Sequence, residues 1–318
     1  MEKKIVGVLR KYKSFIVTMH TSPDPDALGA ALAMTLFLKS IGKKVRLFNE
    51  DPCPSWLRFM PRINLYEQYT GKEKFSADAV ISLDCGDLER VGKVREVISR
   101  NTTIINIDHH VTNVHFGHYN HVQPKYSSTS EILYQILKKA RCRFTKDMAI
   151  LLYLGILTDT GSFGFDCTSS HTHEVIADLL KFNFSVSDLY RQVYETMPKE
   201  DLRPFLSIIH RLELHFNERV ACLVMDEKDD EIFSGDFDLR DKVFGFLRSV
   251  KGLEVIVIIT KKEKKRVRIN FRSRNGFDVA KLAEKFGGGG HMKASGCFLD
   301  GSLSSAKARI LREIGKGL

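Results

Sequence analysis

Four short stretches, far apart in the chain, combine aspartate and histidine in patterns that could hold metal ions. They are His20-Thr-Ser-Pro-Asp-Pro-Asp26, Ser82-Leu-Asp84, Asn106-Ile-Asp-His-His110 and Leu157-Thr-Asp159-Thr-Gly161. Each follows an apolar run, and residues just past neighbouring strands of an α/β protein converge on one crevice. Carboxylates gathered there would repel one another by about 4 kcal/mol per close pair at an effective dielectric near 20. Divalent cations relieve such repulsion, so the pattern predicts a two-metal hydrolase.

The elements that must position these residues are read from the apolar periodicity. Strand and helix signals alternate over the first 190 or so residues, which predicts a doubly wound, mostly parallel sheet with helices on both faces. Strands are expected at 15–19, 44–48, 79–83 and 104–107. Helices are expected at 27–40, at 129–140 behind a Ser/Thr cap, and from Thr145 towards Thr158. The fold class is therefore α/β.

A second, smaller α/β domain is expected after this one. Strand signals lie at 219–225 and 253–260, and residues 266–274 alternate apolar side chains with Arg266, Arg268, Asn270, Arg272 and Arg274. A short helix then leads into four glycines and His291. We expect a catalytic domain at 1–188, a linker and hinge at 189–204, and a substrate-binding domain at 205–318.

Composition restricts the class of protein. The formal charge of +10 favours anionic partners such as nucleotides or short nucleic acids. Lys and Arg are concentrated between Lys261 and Arg274, where only Glu263 is acidic. The six cysteines form no CxxC pair, no run approaches the ~20 apolar residues of a membrane span, and the start shows no signal peptide. These features predict a cytoplasmic protein with reduced thiols that does not bind membranes.

The motifs resemble those of the DHH phosphoesterase superfamily, named for the triplet present here as Asp108-His109-His110. The four N-terminal motifs occur in the family's order, and Asn113 falls on its Asp-His-His-x-x-Asn asparagine. The segment Gly-Gly-Gly-Gly-His291-x-x-Ala-Ser-Gly296 is similar to the DHHA1 substrate-binding domain of the RecJ-like branch. The length matches the compact members that degrade nanoRNA and dephosphorylate pAp, whereas full RecJ exonucleases carry extra domains.

The resemblance implies a role for each matching residue. His20, Asp24 and Asp84 would hold one metal ion, and Asp84 would bridge to a second ion. That ion would be held by Asp26, Asp84, His109 and Asp159. Oxygen ligands with one or two imidazoles suit Mn²⁺ better than structural Zn²⁺.

Catalytic and substrate contacts are implied in the same way. Asp84 and His110 are the catalytic candidates, with His110 facing the scissile phosphate or the leaving oxygen and Asp108 orienting a ligand histidine. Substrate contacts are implied for six residues of the second domain, namely Arg272, Ser273, Gly288, Gly289, Gly290 and His291.

Three functions remain open at this point. The first is hydrolysis of short oligoribonucleotides, linear dinucleotides such as pApA, and pAp. The resemblance also implies that the enzyme can be a homodimer. The second is hydrolysis of cyclic di-AMP, which standalone members similar to this chain can take. The third is a nucleotide- or RNA-binding protein with a vestigial metal site, which a missing ligand would have favoured; every motif position is filled.

Overall fold

A computed structural model of the chain describes residues 1–73, 75–99, 101–229, 232–233, 239–263, 266–274 and 276–318. The side chains of Glu227, Lys262, Glu263 and His291 lie outside this description. The chain divides into two units, Met1–Val193 and Tyr194–Leu318. The expected linker at 189–204 includes this point of division, and its role as a hinge stays a prediction.

Unit 1 alternates strands with helices, as the apolar pattern predicted. Its strands are β1 (Ser14–Met19), β2 (Lys44–Asn49), β3 (Tyr66–Gln68), β4 (Ala79–Leu83), β5 (Thr103–Asp108) and β6 (Tyr119–Val122). Its α-helices are α1 (Glu2–Lys11), α2 (Pro25–Ser40), α3 (Thr129–Lys139), α4 (Lys146–Asp159), α5 (Ser170–Leu180) and α6 (Val186–Tyr194). The expected starts of α3 and α4 are confirmed, since the side chains of Ser128 and Thr145 accept hydrogen bonds from the first turns of these helices. Helix α2 begins two residues earlier than expected, because Asp24 caps it and Pro25 occupies its first position.

The strands of unit 1 pair in the order β3-β2-β1-β4-β5-β6, and each of these pairs is parallel. The chain therefore moves outward in one direction from β1 to β3 and in the other from β4 to β6. Where strand order reverses in this way, the loops after the two central strands part and leave a crevice at their carboxyl ends. This confirms the predicted doubly wound sheet and places the crevice between β1 and β4.

The two faces of this sheet are covered differently. Helices α2 and α3 pack on one face, and α4 packs on both of them as a further layer. Gly29 permits the close approach of α2 and α4, because a Cβ there would lie 2.5 Å from the carbonyl oxygen of Leu151. The other face is covered by a 3₁₀ segment, Glu89–Val97, which places Val91 and Val94 on the sheet where the sequence had predicted helices.

Unit 2 is a mixed sheet in the order β11-β12-β10-β9-β8-β7. Its strands are β7 (Glu213–His215), β8 (Val220–Met225), β9 (Val255–Glu263), β10 (Arg266–Ser273), β11 (Gly289–His291) and β12 (Ala294–Asp300). Its α-helices are α7 (Leu202–Ile209), α8 (Leu239–Arg248), α9 (Val279–Glu284) and α10 (Leu303–Gly315). One face packs on α9 and α10, and the other packs on α7 and α8. Among the described residues, no helix is both long enough and apolar enough to cross a membrane.

Candidate metal centre

The loop after β1 brings His20 and Asp24 together. The Nδ1 atom of His20 lies 2.8 Å from the carbonyl oxygen of Thr21, which can only accept, so Nδ1 carries a proton. The Nε2 atom then points to Asp24 Oδ2 at 3.6 Å and to Asp84 Oδ2 at 3.4 Å. Asp24 Oδ1 caps α2 by accepting from the backbone of Asp26 and Ala27, which leaves its other oxygen for the site. Asp24 is thus both a helix cap and a candidate metal ligand.

Asp26 is held by the start of α3. Its two carboxylate oxygens accept from the backbone N–H groups of Thr129 at 2.7 Å and Ser130 at 2.8 Å. These amides lie in the first turn of the helix, where unpaired N–H groups and the helix dipole favour an anion. Sequence reasoning identified this Ser/Thr run most simply as a helix cap, with a role near substrate as the alternative. No local signal linked it to Asp26, which is about a hundred residues away in the chain.

Asp84 lies between the two groups of side chains. It follows β4 directly and has a φ of +58°, a left-handed conformation that is uncommon outside glycine and that aspartate tolerates better than most residues. Its Oδ1 accepts from Thr129 Oγ1 at 2.9 Å and lies 3.6 Å from His109 Nε2, while its Oδ2 faces His20. One carboxylate therefore offers an oxygen to each side of the crevice.

Asp159 reaches the crevice from a helix and not from a strand. It is the last residue of α4, and its Oδ2 lies 3.2 Å from His109 Nε2. Burial raises the pKa of Asp159 to about 6, although the hydrogen bond to His109 opposes that shift. Helix C-termini repel anions, so a carboxylate at this position benefits from a cation close to it.

Asp108 pairs with His110, the second histidine of the triplet. Its Oδ1 lies 2.6 Å from His110 Nδ1, and it also accepts from the backbone N–H of His109. Its other oxygen accepts from Asn113 Nδ2, which also donates to Asn106 Oδ1 and the carbonyl oxygen of Cys85. Asp108 is fully buried. This chain of contacts fixes the orientation of the His110 ring.

The charges of these groups suit bound cations. Burial opposes a charged imidazole at His20, but hydrogen bonds to Asp24 and Asp84 outweigh it and raise the pKa of His20 to about 10. The pKa of His109 is raised well above its ordinary value in the same way, by Asp159 against burial. Burial raises the pKa of Asp26, and its carboxylate neighbours Asp159 and Asp84 add to that shift. The raised pKa values of the two histidines show that these carboxylates, held close together, are stabilised by nearby positive charge, which bound cations would also supply.

Three overlapping sets of side chains could each hold an ion, because their ligand atoms lie within 4.8 Å of one another. The sets are His20 with Asp24 and Asp84; Asp26 with His109 and Asp159; and Asp84 with His109 and His110. Oxygen and imidazole donors of this kind fit Mn²⁺ or a similar hard cation better than a thiolate-bound structural zinc. The first two sets together contain all six residues that the sequence predicted as metal ligands.

Arg272, the main substrate candidate of unit 2, lies beside α8. Its guanidinium is 4.6 Å from the ring centre of Phe244, and its Nη2 is 3.8 Å from Asp241 Oδ1. Ser273 Oγ donates to the carbonyl oxygen of Met292. Sequence reasoning missed Arg248 at the end of α8, where burial and the nearby charge of Arg272 lower the arginine pKa to about 10, so that both stay charged at neutral pH.

Two of the glycines before His291, Gly288 and Gly290, are required by strand packing. Gly289, Gly290 and the backbone of His291 form β11, which pairs with β12. A Cβ at Gly288 would lie 2.2 Å from the carbonyl oxygen of Gly296, and Gly290 has a φ of +139°. The His291 side chain lies outside the described residues. The predicted contacts of these four residues with substrate stay predictions.

Known proteins resemble this chain over most of its length. Residues 14–156 match the DHH family, N-terminal domain, and residues 232–316 match the DHHA1 domain. The chain is 31% identical over 299 residues to the bifunctional oligoribonuclease and PAP phosphatase NrnA of Thermus thermophilus, covering 94% of this chain and 88% of that protein. It is 28% identical over 303 residues to the protein of the same name from Bacillus subtilis, covering 93% and 92%.

A solved structure shares the fold. The exopolyphosphatase-related protein of Bacteroides fragilis superposes with a TM-score of 0.89 at 24% identity, covering 98% of this chain and 94% of that one. The chain thus contains both domain types, and the crevice residues that the motifs predicted lie in unit 1. The chain belongs to the DHH family with a C-terminal DHHA1 domain, a family of metal-dependent phosphoesterases.

Proposed function

We propose that this protein is a two-metal phosphoesterase that hydrolyses short oligoribonucleotides, linear dinucleotides such as pApA, and pAp. The observation that carries the proposal is the position of Asp84, whose two carboxylate oxygens face His20 on one side and His109 on the other. The relatives from Thermus thermophilus and Bacillus subtilis are named as oligoribonucleases and PAP phosphatases, which supports this choice of substrates.

The proposed ligand sets are those that the family resemblance implies, and the distances within two groups of side chains support them. His20, Asp24 and Asp84 would hold one ion, and Asp26, His109 and Asp159 would hold the second together with Asp84, with Mn²⁺ as the proposed metal. Two such ions lower the pKa of a bound water and neutralise the oxygens of a phosphate. Thr129 and the first-turn amides of α3 keep the carboxylates of Asp84 and Asp26 in place. Because these hydrogen bonds orient the carboxylates before substrate binds, the ligands need not change position during the reaction.

His110 is the proposed proton donor to the leaving oxygen. Burial opposes a charged ring, but the hydrogen bond that His110 Nδ1 donates to Asp108 raises the pKa of His110 above its ordinary value. A protonated imidazole can act as a general acid. Asp108 acts through His110, and Asn113 holds Asp108, so both would be positioning residues.

Arg272 is the proposed anchor for a substrate phosphate in unit 2. A guanidinium offers a planar fork of donors that matches phosphate oxygens, and stacking on Phe244 keeps that fork oriented. Arg248 places a second positive charge beside it. Two neighbouring guanidinium groups favour a small substrate with more than one phosphate group.

The test is hydrolysis of a matched panel with added Mn²⁺: pAp, pApA, cyclic di-AMP, a five-nucleotide RNA and a long single strand. We expect rapid hydrolysis of pAp and the short linear substrates and slow hydrolysis of the other two. Faster hydrolysis of cyclic di-AMP would replace the proposal with a second-messenger phosphodiesterase. Tight nucleotide binding without Mn²⁺-stimulated hydrolysis would replace it with a binding protein.

A further inference from the structure

Unit 2 carries a second polar surface beyond Arg272, on strands β10 and β12 of its sheet. In the antiparallel pair β10–β12, Arg266 lies opposite Asp300, Arg268 opposite Phe298, Asn270 opposite Gly296, and Arg272 opposite Ala294. Directly opposed residues of antiparallel strands place their side chains on the same face. We call the part of this face formed by Arg266, Arg268, Asn270 and Phe298 the arginine–phenylalanine face.

The reverse side of the same strands is buried. Val267, Ile269 and Phe271 alternate with the polar residues of β10 and pack against α9 and α10, together with Cys297 and Leu299 of β12. One side of this strand pair therefore makes apolar contacts with the core, and the other side carries arginines and an aromatic ring.

Helix α8 covers only part of the polar side. It packs on Ile256 and Ile258 of β9 and on strand β8, and the described members of that core include no residue of β10 or β12. Arg268, Asn270 and Arg272 are all half-buried, whereas Arg266 and its neighbour Phe298 are exposed. The exposed end of the face is therefore the end that lies farthest along β10 from Arg272.

Phe298 is the unusual member of this face. Its side chain is 47% exposed, and the guanidinium of Arg266 lies 4.5 Å from its ring centre. An exposed aromatic ring on a sheet, flanked by arginines, is the arrangement on which proteins stack the bases of single-stranded nucleic acid. The stack with Arg266 also orients the ring without covering it fully.

The occupant follows from charge and from continuity. Three arginines share the line from Arg266 to Arg272, and the acids beside that line include Asp300 and, on α8, Asp241. Six residues of strand at 3.4 Å each make this line about 20 Å long, enough for a few further nucleotides of a stretched single strand. Phosphates match the arginines, and bases match the ring.

We infer that the arginine–phenylalanine face binds the nucleotides of a short RNA that lie beyond the one held at Arg272. Phe298 stacks on a base, while Arg266 and Arg268 contact phosphates. This inference rests on the proposed function, because it assumes an RNA substrate anchored at Arg272. It makes the face a determinant of substrate length: a five-nucleotide RNA reaches Phe298, whereas pAp is too short to do so.

The test compares kcat/KM on a five-nucleotide RNA with kcat/KM on pAp, in the full chain with Mn²⁺. We expect Phe298→Ala to lower this ratio about tenfold, mainly through KM of the longer RNA, because stacking on an aromatic ring strengthens binding of each base substantially. Phe298→Tyr, which keeps an aromatic ring, should restore the ratio. The value on pAp also shows that each variant is folded.

Charge is tested with a matched pair. Arg266→Glu and Arg312→Glu change the net charge equally, but Arg312 lies exposed on α10, which covers the opposite side of the sheet. We expect only Arg266→Glu to lower the ratio and to weaken the salt dependence of KM for the five-nucleotide RNA.

The two possible failures are distinguishable. If the wild-type protein hydrolyses neither substrate, the proposed function fails and the inference fails with it. If the wild type hydrolyses both, and Phe298→Ala and Arg266→Glu leave the ratio unchanged, the face does not bind RNA and the inference alone is overturned. That second result would direct attention to an acidic protein partner for the same surface.

Discussion

Asp84 is the side chain on which the site depends most. It is almost fully buried and makes contacts to His20, His109 and Thr129, which come from three different segments of the chain. Asp24 and Asp159 each belong to one of the three ligand sets, whereas Asp84 belongs to two of them. Loss of Asp84 would therefore weaken two candidate ion sites at once.

Substitution of Asp84 by alanine should abolish hydrolysis of every substrate. We expect kcat to fall more than about a thousandfold, beyond the loss caused by removing a single charge-stabilising donor. The measurement is turnover of pAp and a five-nucleotide RNA, together with Mn²⁺ binding by calorimetry. Asp87→Ala is the control, since Asp87 accepts a hydrogen bond only from the backbone N–H of Arg90 among the residues that the structure describes. Near-normal turnover in Asp84→Ala would remove Asp84 from the centre.

Substitution of Arg272 by alanine should act chiefly on binding. Charge-assisted hydrogen bonds to phosphate contribute enough that KM for pAp should rise roughly 10- to 100-fold. KM for pAp in Arg272→Lys should lie between the values for the wild type and Arg272→Ala, because lysine keeps the charge but loses the planar fork. Steady-state kinetics separates the parameters, and a fall in kcat at constant KM would show instead that Arg272 acts in the transition state.

At the scale of elements, three helices set the positions of the carboxylates. The first turn of α3 binds Asp26, while α2 carries Asp26 and α4 crosses both helices. The crossing is close because Gly155 of α4 has no side chain: a Cβ there would lie 2.5 Å from Asp26 Oδ1 and 2.2 Å from Ser130 Oγ. The glycine is needed for space beside a candidate metal ligand.

Replacing Gly155 by alanine should therefore displace Asp26. We expect a loss of about 1–3 kcal/mol in the free energy of unfolding, typical of overpacking, together with weaker binding of Mn²⁺. Gly7→Ala is a matched control in helix α1, where a Cβ meets nothing within 4 Å. That change should raise stability by roughly 0.5–1 kcal/mol. Denaturant unfolding and metal titration check both, and equal behaviour of the two variants would contradict the packing argument.

At the scale of the whole molecule, metal binding, folding and protonation are linked. The pKa of His20, raised to about 10 in the metal-free chain, means that this imidazole holds a proton at neutral pH. That pairing stabilises the metal-free fold fully below the ordinary histidine pKa near 6.5, and the contribution is lost as pH rises towards 10. A cation must expel the proton, so its apparent affinity increases with pH.

Added Mn²⁺ should raise the unfolding temperature of the chain, and by more at pH 8 than at pH 6. A ligand at a hundred times its Kd stabilises a fold by about 2.7 kcal/mol, and protons compete with it at the lower pH. Differential scanning calorimetry with and without a chelator measures the effect, with Asp84→Ala as the control that should not respond. A larger shift at pH 6 would show that the imidazoles do not release protons to the metal.

The sequence by itself determined the four inner strands of the unit 1 sheet, but not its edge strands β3 and β6, and it determined the identity of the crevice residues. Strands β1, β4 and β5 lie within a residue of their predicted limits, because parallel strands buried on both faces are continuous apolar runs. Their polar ends identified His20, Asp84 and His109, since chemistry at the edge of such a sheet must follow the strands directly.

Only the tertiary structure decided how these residues are supported. The contacts of Thr129 and Ser130 with Asp26 join segments about a hundred residues apart, and no local pattern encodes such a distance. Gly155 reads as an ordinary helical glycine until the neighbouring helix is in place. The polar face with Phe298 likewise follows from strand register and from where α8 ends, which alternation along one strand cannot specify.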